Sequence, residues 1–372
     1  LTDYSSFYSG FVRRIYCTEG AALTPAAIRI RERLPGVPFV PVNGKEEIPP
    51  ADRNRSTLFL TAGRGSKVGA CPGSQGHLCC NYVTVNLYEG CPVGCTYCVL
   101  RGYLNFPAVT VNVDPEPIVR EIERLVALNP GRPLRLGTGE VGDSLFYDPL
   151  FDLSGELVKR CAAWPHVTLE LKTKTHFVDH LLALEPKGAA VVGFSLNPQA
   201  VIDAEEGEAS GLEERLAAAG RALAAGFRLS FHFDPIIRVP GWESLYRETA
   251  ARLAAFPKRS IAWISLGTVR YPRDFLSRLA GPAGRPWLFD EFFPSRDGKF
   301  RYLQPLRIGM YRSLAEWIGR ATDAPLYLCM ESPAVWRRVF GELPAKIKSM
   351  CAIFSSVKLP PAANGNPEEI DG

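Results

Sequence analysis

With 372 residues, 46% of them hydrophobic and 22% charged, the chain is long enough for two to three units of roughly 150 residues each. Its balance is that of an ordinary globular protein, which excludes a disordered chain, a coiled coil and a collagen. Apolar runs such as 189–196 fall far short of the roughly 20 residues that cross a bilayer. No membrane partner and no secretory leader are expected, and the expected compartment is the cytoplasm. A net charge of +4 permits an anionic partner without requiring one.

Residues 1–60 read as a small N-terminal α/β unit. It holds a strand over 11–17 and a helix over 24–33 that opens on Thr24 with Pro25 in its first turn. A connector rich in Pro, Asn and charge follows over 35–55, then a cysteine-containing loop over 61–80. From there strands and helices alternate. Strands are predicted over 82–87, 134–137, 167–172, 189–196, 227–233 and 261–266. Helices are predicted over 115–128, 155–163, 177–184, 212–225 and 242–255; the first carries Ile118, Ile122, Leu125 and Val126 on one face. Alternation of this kind implies a parallel sheet. About six such units over 81–283 predict an α/β fold built on a partial (β/α)6 TIM-like barrel, with its chemistry at the C-terminal strand ends. Over 284–359 the rhythm breaks into a C-terminal unit with a hairpin turning at Asp297-Gly298, a helix near 309–320 and a strand over 325–329. The tail over 360–372 has the composition of a disordered segment.

The ten cysteines are not spaced like a secreted disulfide framework. Cys71, Cys79, Cys80, Cys91, Cys95 and Cys98 cluster, which points to metal or catalysis. Cys91, Cys95 and Cys98 form a C-x3-C-x2-C loop directly after the first barrel strand. Three thiolates so spaced suit three irons of a [4Fe–4S] cluster. With no fourth cysteine adjacent, one iron stays open for a substrate or cofactor. Gly90 and Gly94 let the backbone curl around it. Cys71, Cys79 and Cys80 lie in a Gly/Pro-rich loop and form a second candidate site, for another iron–sulfur cluster or zinc, with Cys329 as a distant fourth ligand and His77 as a further one. Free thiols or a disulfide are the alternatives there. Cys17, Cys161 and Cys351 read as small apolar residues.

The three-cysteine loop resembles that of the radical S-adenosylmethionine (AdoMet) enzymes. More of the chain, roughly 80–280, is similar to spore photoproduct lyase and its relatives, through the stretches around Lys174, Gly193 to Asn197, 211–226 and Pro235 to Glu243. That resemblance implies a [4Fe–4S] cluster on Cys91, Cys95 and Cys98, with Tyr97 lining the cofactor site and AdoMet contacted by Lys174, Ser195 and Asn197. It implies a 5′-deoxyadenosyl radical, an external one-electron reductant such as flavodoxin or ferredoxin, and a nucleic-acid or nucleotide substrate. Arg270, Lys299, Arg301 and Tyr302 are the candidate substrate contacts. In the C-terminal unit Arg296, Arg307, Tyr311 and Arg312 extend this mixture of cations and aromatics, which suits phosphates and bases.

Two positions depart from the lyase pattern. Where the lyase carries a hydrogen-donating cysteine after its second barrel strand, this chain has Glu140, in a Gly-Thr-Gly-Glu stretch similar to the motif that pairs with the methionine amino group in many radical AdoMet enzymes. Where the lyase has a tyrosine, this chain has Val99. Both changes imply a modified repair cycle. The other readings are radical modification of a non-nucleic-acid substrate, aided by the second cysteine set, and a non-catalytic metal-cluster module that binds DNA.

Overall fold

The computed structural model describes residues 4–63, 65–74, 76–272, 275, 287 and 292–360. Its strands in chain order are β1 (Arg14–Cys17), β2 (Phe39–Pro41), β3 (Thr57–Thr61), β4 (Val68–Ala70), β5 (Val83–Val85), β6 (Tyr88–Glu89), β7 (Val109–Asn112) and β8 (Leu134–Gly137). There follow β9 (Val167–Thr173), β10 (Val191–Ser195), β11 (Arg228–Ile236), β12 (Ile261–Thr268), β13 (Arg270–Pro272), β14 (Phe292–Pro294), β15 (Lys299–Tyr302) and β16 (Leu326–Leu328).

The main sheet runs β16-β12-β11-β10-β9-β8-β5-β4. Every neighbouring pair from β5 through β16 is parallel, and only β4 turns back on β5. This is the curled, partly closed sheet of a partial TIM-like barrel. The expected strands are present, and β16 joins the same sheet as a further parallel member. Strands buried on both faces read as near-continuous apolar runs, and β10 and β12 are buried at every position. Crossovers are helical at Glu116–Leu128, Leu153–Cys161, Leu212–Ala224 and Trp242–Ala251.

The helix predicted over 177–184 does not form. The crossover from β9 to β10 holds a single 3-10 turn at Asp179–Leu181. Thr173 and Thr175 side chains accept the backbone N–H groups of Thr175 and Phe177, and such local bonds compete with helical ones. Phe177 turns instead into an aromatic cluster with Tyr4, Phe7, Tyr8 and Phe146.

A second sheet, β2-β1-β3-β7-β6, draws three strands from the leading segment and two from the stretch between β5 and β8. The connector expected over 35–55 contains β2, and the cysteine-containing loop contains β4. In the C-terminal region β14 and β15 form the expected hairpin, with Gly298 at a φ of 73° in its turn. β13 completes a three-stranded antiparallel sheet, and the helix that follows runs Gln304–Ala321. The tail expected to be disordered lies, from residue 361, outside the described residues. Among the described residues no helix is long and apolar enough to cross a membrane.

Candidate active site

The three-cysteine loop leaves the end of β6, which follows β5, so it sits at the C-terminal edge of the barrel. Gly90 and Gly94 take φ of 100° and 75°, the left-handed region that other residues avoid. A side chain on Gly94 would run into the Arg55 guanidinium. Cys95 is buried, while Cys91 and Cys98 are partly exposed; of the solitary cysteines expected to be buried, Cys17 and Cys161 are, whereas Cys351 is exposed. Burial pushes the Cys95 thiol up to about 12, and raises Cys91 and Cys98 as well. Lys174 pulls Cys95 and Cys98 the other way. Three soft thiols on one rigid loop, beside a cation and with no fourth cysteine in the loop, fit a site-differentiated iron–sulfur cluster. Among the described residues no three thiol, imidazole or carboxylate groups are drawn into a closed metal set.

A segment absent from the sequence-based list holds this loop. Residues 205–208 close the helix Gln199–Glu205 and the turn after it. Glu205 accepts the hydroxyl of Thr96, and its carbonyl accepts the Thr96 N–H at 2.9 Å. Glu208 N–H donates to the Val93 carbonyl at 2.8 Å. Between them, fully buried Glu206 gathers the side chains that the resemblance assigned to AdoMet. It accepts from Lys174 Nζ at 2.8 Å, Asn197 Nδ2 at 2.8 Å and the Tyr97 hydroxyl, while Arg215 Nη2 holds its other oxygen at 2.5 Å. Burial works to raise this carboxyl, but Arg215 and Lys174 outweigh it and hold it well below the usual carboxylate range. Tyr246 donates to Asn197 Oδ1 at 2.7 Å, and the Lys174 ammonium lies 5.5 Å from the Tyr97 ring centre. Ser195, at the end of β10, gives its carbonyl to Arg215 Nη1 at 2.8 Å.

Asp143 is a second residue that the sequence did not single out. Buried, it accepts the N–H groups of Leu145 and Phe146 at 2.9 Å and the Lys174 N–H at 2.7 Å. It thereby ties the loop after β8 to the end of β9. Nothing in the residue types at 143 or 206 marks them, because a lone acidic residue in a loop is ordinarily solvated.

Glu140 follows β8 and stands 3.8 Å from Lys172 Nζ on β9. Around the same rim Asp234 meets Arg270 at 3.1 Å, and Arg270 Nη2 lies 3.5 Å from Cys329 Sγ. Deeper in the barrel, Glu170 accepts from Trp263 at 3.0 Å and meets His232 at 2.7 Å, and His232 reaches Ser265 at 2.6 Å. Cys91, Cys95, Cys98, Tyr97, Glu140, Lys174, Ser195, Asn197 and Arg270 thus all lie at or near strand ends on one side of the barrel.

The C-terminal cations are placed differently. Arg301, Tyr302, Arg307 and Tyr311 are buried, not presented as a basic face. Arg301 holds Asp297 at 2.5 Å and the Met330 carbonyl at 3.2 Å, and Arg307 and Tyr311 meet Glu331 at 2.8 and 3.0 Å. Lys299 donates to Ser74 Oγ at 2.9 Å. Arg301 pairs with Asp297 in the hairpin's own turn and Arg307 with Glu331 beyond β16, whereas Arg296 and Arg312 are exposed.

Known proteins place this geometry. The family model for spore photoproduct lyase matches residues 74–269, more than half of the chain. The chain is 28% identical over 232 residues to the spore photoproduct lyase of Geobacillus sp. (strain Y412MC61), covering 62% of this chain and 66% of that protein. It is 26% identical over 233 residues to that of Bacillus subtilis (strain 168), with the same two shares. The alignment therefore spans just under two thirds of the curated relatives. In fold, it matches a mutant spore photoproduct lyase with bound AdoMet and dinucleoside spore photoproduct at a TM-score of 0.75 and 22% identity, covering 85% of this chain and 98% of that one. Since the family model accounts for most of the barrel and its three-cysteine loop, the chain belongs to the spore photoproduct lyase family.

Proposed function

We propose that the chain is a radical AdoMet enzyme whose cluster sits on Cys91, Cys95 and Cys98. The observation that carries this is the loop itself, a rigid C-x3-C-x2-C turn at the C-terminal rim of a partial barrel, clamped by residues 205–208. A [4Fe–4S] cluster held by these three thiolates would supply the electron for reductive cleavage of AdoMet. The protein does the rest. The three thiolates hold the cluster, while Lys174, Ser195 and Asn197 face the cofactor. Glu206, itself without solvent access, fixes Lys174, Asn197 and Tyr97 in one orientation. Glu140 offers the carboxylate for the methionine ammonium, with Lys172 holding it in place. An external one-electron reductant, a flavodoxin or ferredoxin, feeds the cluster.

The substrate class is a nucleic acid or nucleotide. Supporting this are the relatives' reaction and a solved relative that binds a dinucleoside spore photoproduct. Glu140 favours a second reading. A carboxylate has no weak S–H bond, so it cannot return a hydrogen atom as the lyase cysteine does. The barrel would then act on another substrate or by another cycle.

Replacing Cys91, Cys95 and Cys98 together with Ala should abolish 5′-deoxyadenosine formation under dithionite; continued formation would overturn the assignment. Glu140→Gln should weaken AdoMet binding about tenfold to a hundredfold, since a charge-assisted hydrogen bond is worth roughly 1.5–3 kcal/mol. If Glu140→Gln binds as wild type and Glu140→Cys gains repair of spore photoproduct, Glu140 is only a replaced hydrogen donor.

A further inference from the structure

The geometry points to a second soft-metal centre, formed by Cys71, Cys79, Cys80 and Cys329 across the open seam of the barrel. This goes beyond the reading of the first loop and does not depend on it. The main sheet ends on β4 at one edge and on β16 at the other. The loop that joins β4 to β5 crosses the gap between them. Leu78 makes an isolated antiparallel bridge with Glu331, its N–H on the Glu331 carbonyl at 2.9 Å. Three cysteines are thereby carried to the far edge, where Cys329 follows β16 directly.

The loop is held from several sides. Cys71 N–H donates to the Tyr82 carbonyl at 2.9 Å, and Lys299 Nζ donates to Ser74 Oγ at 2.9 Å. His77 lies 4.0 Å from Asp297, and Asn81 Nδ2 donates to the Ser355 carbonyl at 2.9 Å. Within it Cys79 packs against Gly73, two residues beyond Cys71, where a Cβ would lie 3.9 Å from Cys79 Sγ. Across the seam the antiparallel bridge of Leu78 with Glu331 sets Cys80, two residues on, opposite Cys329, two residues back. Among the described residues no three such groups are already drawn into a closed metal set, so the bound metal would complete the closure.

The independent observation is Arg135. It is buried in the barrel among the rings of Tyr82, Trp263 and Tyr327, with its carbon centre 4.1 Å from the Trp263 ring. Its Nη2 reaches the Tyr327 hydroxyl at 3.3 Å and Glu170 at 3.9 Å. Its Nε and Nη1 have no partner. A buried guanidinium ordinarily satisfies its donors. The rings of Tyr82 and Tyr327 that enclose Arg135 belong to residues two positions from Cys80 and from Cys329. Several thiolates around one metal leave a net negative charge, and Arg135 between Tyr82 and Tyr327 and Arg270 beside Cys329 are placed to balance it. Thiolate ligands select zinc or an iron–sulfur cluster. Binding would displace the thiol protons without any change of oxidation state in the protein.

The test uses the full chain, purified and reconstituted without oxygen, with iron, sulfide and zinc counted. In the variant with Cys91, Cys95 and Cys98 replaced by Ala, a metal should remain, either about four irons with sulfide or about one zinc. Adding Cys329→Ser or Cys79→Ser to that background should remove it, with circular dichroism reporting that the chain is folded. Arg135→Met in the same background should release the metal at about tenfold lower chelator concentration. A triple variant without metal, a metal that survives Cys329→Ser and Cys79→Ser, an unchanged chelator midpoint in folded Arg135→Met, or a Cys71–Cys79 disulfide in the anaerobic protein would each overturn the proposal. Wild type and triple variant with equal metal would sink the first-loop assignment while leaving this one standing.

Discussion

Glu206 shows how one buried carboxylate can organise a site. It has no solvent access, yet it stays ionised because Arg215 and Lys174 flank it. Removing one partner of a buried pair ordinarily costs about 3–5 kcal/mol, because the other charges are left uncompensated. Glu206→Gln should therefore lower the melting temperature at neutral pH and also loosen Lys174, Asn197 and Tyr97. Calorimetry would register the first effect and AdoMet titration the second. The sign of the pH dependence follows from the depressed folded pKa, which Glu170 shares through His232 and Arg135. Such groups contribute fully above their unfolded value of about 4.3 and lose that contribution as pH falls below it. Wild-type melting temperature should decline steeply from about pH 5 downward, and less steeply in Glu206→Gln.

At the scale of an element, the three-cysteine loop and the C-terminal hairpin behave in opposite ways. The loop depends on backbone that side chains disfavour. Gly94→Ala would place a Cβ at a φ of 75° and against Arg55, at a cost of about 1–2 kcal/mol for the conformation alone. The chain should still fold, but bind less iron per mole on reconstitution. The hairpin depends on Arg301, which is buried between Asp297 and the Met330 carbonyl. Arg301→Met should cost about 3 kcal/mol of stability. A phosphate contact would instead flatten the salt dependence of DNA binding by about one unit of slope. If Arg301→Met flattens that slope with stability intact, the buried pairing described here is not its role.

At the scale of the whole molecule, the barrel is closed by polar contacts where strands are missing. Glu331 is fully buried at the seam, holding Arg307 and Tyr311 while its backbone pairs with Leu78. Glu331→Gln should speed amide exchange in the loop between β4 and β5 and in β16. The second sheet, with β1 and β3 at its centre, should keep its protection. Uniform loss in both sheets would mean that the two unfold together.

The sequence by itself determined the features that repeat locally. Apolar runs such as those of β10 and β12 mark buried parallel strands, and C-x3-C-x2-C carries its chemistry in its own spacing. The positions of Lys174 and Asn197 near strand ends followed from the same rhythm. Only the tertiary structure decided what Glu206, Arg135 and Arg301 do. The burial of a charge depends on partners that the chain brings from elsewhere: Lys174 for Glu206, Glu170 for Arg135 and Glu331 for Arg301 and Arg307. Read alone, Arg301 and Arg307 look like a solvated basic stretch, because a charge leaves water only when an opposite charge is already in place. The segment after β9 failed as a helix for a related reason. Its threonines bond their own backbone, and Phe177 finds more apolar surface outside a helix than within one.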